Sequence, residues 1–288
     1  MKLAWSCVII EVFMYMLHGW LGDPVVPGWI TPTLPFTLAY LNGFEKGPDR
    51  IQAMIALQLL VAFVFIFMGI TKLADKFVNG VPNSIKGGIL IAAPITVLQG
   101  QLSDGSQLMT APVATLAGTL LLAFLSFSPF CEKNRSKYKI LDIMAKYGNL
   151  FPYLIAMVAG VALGELSKPV LELGTVIRIP DFSNIFHTVS IFAVGFPPLS
   201  KFISAIPLAL ICYVLAFGDF VTSKTLVEEA QESRSDEYID FNSSRSNLIS
   251  GLRNLILAIF APFPPLAGPL WVGMTVSVAM RYKKERKL

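Results

Sequence analysis

Asp219 is the first residue whose type and position could do chemistry, because it lies near the end of the apolar run 205–221. An ionisable side chain at membrane depth is costly, so its default interpretation is functional. We expect Asp219 and the adjacent Gly218 to be coupling or support residues of a transport site. The alternative is that Asp219, one turn from the cytoplasmic end of its helix, caps that helix or pairs with Lys224.

Two proline-interrupted apolar segments, 27–35 and 261–269, form the second group of candidate residues. Proline removes a backbone donor and frees carbonyls that lipid cannot satisfy, so such breaks must face protein or a wet cavity. In secondary transporters, paired breaks mark the substrate site. A pair of kinked packing helices, with a tight hairpin at 262–269, is the alternative. The candidate substrate-binding residues come from these breaks: Thr31, Pro32, Thr33, Pro264, Pro265 and Gly268.

Arg253 and Asn254 precede the second break and are further coupling or support candidates. Arg253 has three possible roles: it pairs with Asp219, it supplies positive charge to a substrate anion, or it makes a purely structural pair. Glu11, at mid-depth of the first apolar run, is either a coupling-ion group or a sign that this run inserts poorly.

The elements that must position these residues are apolar helices. The chain is 54% hydrophobic and only 15% charged, far from the soluble average of roughly 25% charged residues. Apolar runs long enough to cross a bilayer recur along the whole length. We predict an all-α polytopic membrane protein, in which segment 28–42 is a broken, discontinuous element. The predicted spans are 3–21, 51–70, 85–101, 110–130, 147–166, 203–222, 247–262 and 264–280.

The distribution of Lys and Arg predicts the orientation of these spans. If span 51–70 runs from outside to inside, the inside segments carry fifteen Lys and Arg residues and the outside segments five. This bias predicts a multi-pass protein of a bacterial-type inner (plasma) membrane with a cytoplasmic C-terminus. The basic clusters adjoin spans, where positive charge is expected, so a nucleic-acid partner is disfavoured.

Several function classes lack their motifs. The three cysteines have no paired spacing, the two histidines are too far apart in the sequence for a metal site, and no phosphate-binding glycine loop occurs. We therefore expect no cofactor, no metal and no enzymatic activity.

Three stretches resemble the nucleobase–cation symporter (xanthine/uracil permease) family, which is similar in fold to the sulfate permease family. They are ITPTLP at 30–35, FPPLSKFISAIPLALICYVLAFGDFVTSKTL at 196–226 and SNLISGLRNLILAIFAPFPPLAGPLWVGMTVSVAMRY at 246–282. The resemblance implies fourteen spans in two inverted seven-helix repeats. It also implies a core that holds substrate between two short strand-helix elements, the third and tenth spans, and a gate that moves against this core.

On that scheme the chain looks like spans 2–10, a partial 7+7 inverted-repeat fold in one integral membrane domain, 1–288. Core-like parts would be 1–83 and 203–280, the gate-like part 84–202, and the cytoplasmic tail 281–288. The chain would then be a fragment of a longer protein, or a shortened relative that completes itself by association, for example as a homo-oligomer.

Two departures from the family bear on the substrate. Leu215 and Ala216 stand where the family carries a substrate-binding glutamate, and an apolar, proline-rich stretch replaces its polar signature on the tenth span. Nucleobase recognition needs such polar partners, whereas an anion held by helix N-termini needs fewer. We expect secondary-active transport of a small anionic or heterocyclic solute coupled to H⁺ or Na⁺. The alternative is a truncated, non-transporting fragment.

Overall fold

The computed structural model describes residues 2–80, 82, 84, 88, 91, 95, 98–99, 101–102, 106–135, 137–147, 150–168 and 181–284. Within these ranges the chain is helical except for two strands of two residues each, so the all-α class is confirmed. The chain divides into two compact units, one of Met1–Ile91 with Ile179–Leu288 and one of Ala92–Arg178. Most of the predicted span 85–101 lies outside the described residues.

The elements follow one another in this order: α1 Lys2–Trp20, β1 Gly28–Trp29, a 3₁₀ turn Thr31–Thr33, α2 Leu34–Asn42, α3 Pro48–Ile70, α4 Leu73–Gly80, α5 Gln107–Thr110, α6 Pro112–Phe127, α7 Pro129–Asn134, α8 Lys139–Lys146, α9 Leu150–Ala162, α10 Phe182–Thr188, α11 Ile191–Val194, α12 Leu199–Glu232, α13 Ser243–Phe260, β2 Ala267–Gly268 and α14 Val272–Lys284.

Two helices, α3 with 23 residues and α12 with 34, are long and apolar enough to cross a membrane. They contain the predicted spans 51–70 and 203–222. The other apolar helices found in the described ranges are shorter: Cys7–Trp20, Pro112–Phe127, Leu150–Ala162 and Phe182–Val194. The multi-pass arrangement therefore stays a prediction.

The second proline-rich segment corrects the prediction of one continuous span over 264–280. The preceding helix α13 ends at Phe260, the strand β2 follows at 267–268, and helix begins again only at Val272. Prolines at 262, 264, 265 and 269 cannot donate the main-chain bonds that a continuous helix needs. The first break, 28–42, is discontinuous as predicted, with a strand, a 3₁₀ turn and the short helix α2.

The core of the first unit forms around α3, which packs against α12 and α13. Glycine sets the separation between α3 and α13. A Cβ atom at Gly251 would lie 2.6 Å from Ile66 Cγ1 and 3.0 Å from the Ile66 nitrogen, and one at Gly69 would lie 2.6 Å from Leu248 Cγ. Small residues let the two helix backbones approach closely, as they do in membrane helix pairs.

Helix α13 is polar on its buried side and apolar on its exposed side. Its buried residues include Asn247, Ser250 and Arg253, whereas Leu248 and Leu252 are exposed. This polarity is the reverse of that of a helix on the surface of a water-soluble protein, where the apolar stripe faces the core.

In the second unit, α6 packs against α9. A Cβ atom at Gly118 would lie 2.9 Å from Ala156 Cβ, so this contact also depends on a glycine. The Glu165 carboxylate accepts hydrogen bonds from the main-chain nitrogens of Val113 at 2.9 Å and Ala114 at 2.8 Å. It therefore caps the first turn of α6, where N–H groups have no acceptor within the helix.

Candidate functional site

The two proline breaks are far apart in the sequence but meet as an antiparallel strand pair. Gly28 lies opposite Gly268 and Trp29 opposite Ala267, and the Ile30 nitrogen donates to the Leu266 carbonyl at 2.9 Å. Each strand leads directly into a short helical element. The sequence singled out both segments, and the tertiary structure brings them into contact.

Glycine is required at both ends of this pair. A Cβ atom at Gly28 would lie 2.5 Å from the Leu270 carbonyl oxygen, and one at Gly268 would lie 2.9 Å from the Ile30 nitrogen. Both of these neighbours are main-chain atoms, which cannot swing aside as a flexible side chain can. A larger residue at either position would therefore push the two breaks apart.

Asn254 binds the main chain of β2 from the neighbouring helix α13. Its Nδ2 donates to the Ala267 carbonyl at 2.8 Å, and its Oδ1 accepts from the Ala267 nitrogen at 3.1 Å. The bond from Ile30 to Leu266 flanks the pair of Trp29 and Ala267, so this is a non-hydrogen-bonded pair. The polar main-chain groups of Ala267 point away from β1, and the Asn254 amide satisfies both.

Arg253 is fully buried and binds both strands. Its guanidinium donates to the Gly268 carbonyl at 2.8 Å and to the Gly28 carbonyl at 3.3 Å, and it lies 3.3 Å from His18 Nε2. It also stacks over the Tyr15 ring, 4.8 Å from the ring centre. Of the three roles that the sequence left open, these contacts match the structural one.

The suggested pairing of Arg253 with Asp219 is wrong, because the guanidinium is directed at the two strands. Asp219 makes no hydrogen bond or ion pair with any residue that the structure describes. The alternative pairing of Asp219 with Lys224 is also wrong. Lys224 Nζ instead donates to Asn79 Oδ1 at 2.6 Å and lies 3.4 Å from a Glu228 oxygen.

Asp219 is half-buried on α12, which packs against both the 3₁₀ turn and α14. The Gly218 carbonyl accepts a bond from Thr222 Oγ1 at 2.8 Å. Ala216, one of the two residues that the sequence resemblance aligned with a glutamate, is fully buried in the apolar core. Asp219 is thus a partly accessible carboxylate, without a described partner, on the helix that contacts both breaks.

The other predicted binding residues differ in how available they are. Thr33 is buried, and its hydroxyl donates to the Ile30 carbonyl at 2.6 Å. Thr31 is exposed, with only a 3.4 Å bond to the Trp29 carbonyl. Pro264 and Pro265 are half-buried, as is Pro32, whereas Gly268 is buried in the strand pair. Thr31 is therefore the more available of the two hydroxyls.

Sequence reasoning missed a buried, ion-paired lysine at the N-terminal end of α12. Lys201 Nζ donates to Asp49 Oδ1 at 2.6 Å, to the Asp49 carbonyl at 2.8 Å and to Gln52 Oε1 at 2.9 Å. Gln52 Nε2 in turn donates to the Val194 carbonyl at 2.6 Å. These bonds fasten the start of α12 to the start of α3. No sequence spacing connects Gln52 with a lysine 149 positions away.

Sequence reasoning also missed the ion pair of His18 and Asp23, in which Nδ1 lies 2.8 Å from a carboxylate oxygen with both side chains buried. The sequence shows only part of what predicts this pair: a histidine within one turn of a helix end and an acid in the turn that follows. The fold around Arg253 is what makes the pair part of a larger buried network.

Outside the apolar helices, Arg234 connects the end of α12 with α14. Its guanidinium lies 4.6 Å from the centre of the Tyr282 ring and bonds to Asp236 Oδ2 at 2.5 Å. The hydrogen bond from the Asp236 carboxylate raises the pKa of Arg234 above its ordinary value. The side chain therefore stays cationic across the whole accessible pH range.

No protein-family model matches the chain, and a search of curated proteins finds no match. Across the described ranges, no group of three or more His, Cys, Asp or Glu side chains is placed to hold a metal ion. Function must therefore be argued from the strand pair and its surroundings.

Proposed function

We propose that this chain is a secondary-active transporter of a small anionic or heterocyclic solute, coupled to H⁺ or Na⁺, whose solute binds beside the strand pair. The observation that carries the proposal is the antiparallel pairing of two proline-broken segments, each leading into a helix that starts close to the pair. Paired discontinuous helices at a common point are the arrangement that secondary transporters use to bind substrate.

The chemistry of the strand pair favours an anion. The N-termini of α2 and α14 carry positive partial charge, and the first-turn N–H groups of α14 have no acceptor within that helix. In α2, Leu34 donates its N–H to the Thr31 carbonyl and Pro35 has none, so fewer N–H groups are available there. Thr33 is the N-cap of α2 but leaves this terminus uncapped, because its hydroxyl donates to Ile30 instead. The segment before β2 offers few polar side chains to read a nucleobase edge.

The surface of the chain supports a bilayer as its environment. Helix α12 exposes Ile203, Leu210 and Val214, while α13 buries its polar residues and exposes leucines. Such wide apolar exposure is rare on water-soluble monomers. In a bilayer it costs nothing, and buried polar groups are expected to face the protein interior.

Asp219 is the proposed coupling or support residue, with Gly218 beside it. It lies on the helix that packs against both breaks and has no partner in the described part of the chain. In this proposal the core, with the strand pair at its centre, rocks against the gate to expose the solute to alternate sides.

A thermal-shift panel on the purified chain tests the proposal, with nucleobases, sulfate-like oxyanions and carboxylates as ligands. A ligand at about 100 times its dissociation constant stabilises the folded state by roughly 2.7 kcal/mol. At ~2–4 °C for each kcal/mol, this raises the melting temperature by about 5–11 °C. We expect one of the two anion classes to give this shift.

Uptake into proteoliposomes completes the test. We expect Asp219→Asn to lower uptake of that ligand by at least about tenfold, because it removes the charge of the proposed coupling or support residue. The matched control is Asp240→Asn, which removes an exposed carboxylate that pairs with Arg245. If no ligand stabilises the wild type, and no panel compound enters vesicles in an Asp219-dependent way, the proposed function is wrong.

A further inference from the structure

Three ionisable side chains share one face of α1. Glu11, Tyr15 and His18 follow a spacing of four and three residues, which places them one above another on a helix. Tyr15 and His18 both contact the Arg253 guanidinium. Glu11 lies one turn further along the same face, close enough to Arg253 for a direct charge interaction.

The Glu11 carboxyl group is fully buried, and neither of its oxygens has a hydrogen bond of normal geometry. Asp23 Oδ1 is likewise buried without a partner. A buried charge without partners is several kcal/mol less favourable than a paired one, so carboxylates in such places take up a cation. The orphaned oxygens therefore indicate a missing positive charge at Glu11.

The hydrogen bonds assign the charge of His18. Its Nδ1 bonds to the Asp23 carboxylate, which can only accept, so the ring proton is on Nδ1. Its Nε2 faces an N–H of Arg253, which can only donate, so Nε2 accepts and His18 is neutral. A second proton on Nε2 would place a donor and a positive charge against the guanidinium. A further proton is therefore disfavoured at His18.

The charges of this buried group can now be counted. Arg253 contributes one positive charge, Asp23 one negative charge and His18 none, so the group is neutral when Glu11 is protonated and carries one negative charge when it is not. The other ionisable neighbours on α1, Cys7 and Tyr15, carry a thiol and a phenol, which are neutral at neutral pH in ordinary circumstances. Across the contact of α1 with α10, the only ionisable groups of α10 and its N-cap, His187 and Asp181, are exposed.

We propose that Glu11 is the proton-binding site of this chain, and that its protonation state is transmitted to the strand pair through Arg253. Uptake adds one proton from water to a Glu11 oxygen and turns the carboxylate into a neutral acid. The ionised carboxylate attracts the guanidinium towards α1, whereas the neutral acid leaves it held by the Gly28 and Gly268 carbonyls. Because Arg253 joins both breaks, the proton and the solute act on the same contact. That coupling rests on the proposed transport function.

A proton is favoured over a metal cation on the described residues. Sodium and other hard cations need several oxygen ligands around one point. The group offers two carboxylates, of which Asp23 already binds His18, and no cluster of three potential metal-binding side chains occurs in the described ranges.

Infrared difference spectroscopy on the purified full chain tests the proton site without any solute. On acidification we expect one band of a buried carboxylic acid to appear in the wild type, with uptake of one proton per chain. Glu11→Gln should abolish this band, whereas Asp219→Asn should retain it. Glu11→Asp keeps a carboxyl group at the site and should shift the band in frequency, which covers the case in which the amide variant does not fold.

The inference is overturned if the band survives Glu11→Gln, if it disappears in Asp219→Asn, or if Glu11→Asp leaves its frequency unchanged. It is also overturned if sodium chloride suppresses the band relative to potassium chloride at equal ionic strength, because the site would then hold Na⁺. Loss of the band in Glu11→Gln, together with failure of both the ligand panel and the uptake assay, would uphold the proton site and refute transport. If a solute binds but the band does not depend on Glu11, this inference is refuted and the proposed transport function is not.

Discussion

Substitution of Asn254 tests quantitatively how the strand pair is held in place. The substitution Asn254→Ala removes the side chain that bonds both main-chain polar groups of Ala267, at 2.8 Å and 3.1 Å. Those groups point away from β1 and are buried, so they lose their partners together. Each buried polar group left unpaired costs about 1–3 kcal/mol, so we expect a loss of about 2–6 kcal/mol.

Asn247→Ala is the matched control, because Asn247 is also fully buried and lies two turns earlier on the same face of α13. Its Oδ1 accepts from the Tyr213 hydroxyl at 3.1 Å, and its Nδ2 donates to the Ser243 carbonyl. Neither contact holds β2. The Ser243 carbonyl still accepts the helical bond from the main-chain nitrogen four residues later, and the Tyr213 hydroxyl is only partly buried. The expected loss is therefore that of one ordinary hydrogen bond, about 0.5–1.5 kcal/mol.

Thermal unfolding with a thiol-reactive fluorogenic dye measures both variants, because Cys7, Cys131 and Cys212 are free and buried and so react only on unfolding. At ~2–4 °C for each kcal/mol, Asn254→Ala should lower the melting temperature by at least about 4 °C. Its shift should be at least about twice that of Asn247→Ala. Equal shifts would refute the assignment of Asn254 as the residue that holds the second break.

Three further substitutions test separate contacts. Gly251→Ala should destabilise the chain by about 1–3 kcal/mol in the same assay, because its Cβ would meet the Ile66 backbone, whereas Gly19→Ala, with open space around it, should cause no loss. Arg253→Lys should lower the melting temperature despite the retained charge, because an ammonium group cannot reproduce the fork that spans two carbonyls; an unchanged value would contradict that role. Glu165→Ala should weaken the α6 cap by about 0.5–2 kcal/mol, seen as faster amide hydrogen exchange confined to the start of α6.

The sequence located the two breaks correctly because proline acts locally. Each proline removes a donor from its own segment, so the interruptions at 27–35 and 261–269 are visible without any tertiary information. The same local rule should have ended the predicted span 247–262 at Phe260 and should have excluded one helix over 264–280. That prediction followed the apolar composition of the segment and disregarded its prolines.

The partners of the buried polar residues were much harder to predict. Arg253 was given three possible roles because its spacing fixes only its face on α13, and the choice depends on which segment packs there. The contact with Gly28 joins residues 225 positions apart. The sequence singled out Asp219 as an isolated acid in an apolar run. Glu11 is equally isolated in the first apolar run, and it is Glu11 that is fully buried.

The sequence by itself determined the helical class, the two apolar helices long enough to span a membrane and the positions at which helices must break. These properties follow from hydropathy and from the missing proline donors, both of which belong to single segments. Only the tertiary structure decided that the breaks pair with Gly28 opposite Gly268, and that Arg253 and Asn254 hold them. Such contacts depend on the packing of α13 against the strands, and no local pattern encodes which distant carbonyl a buried side chain will meet.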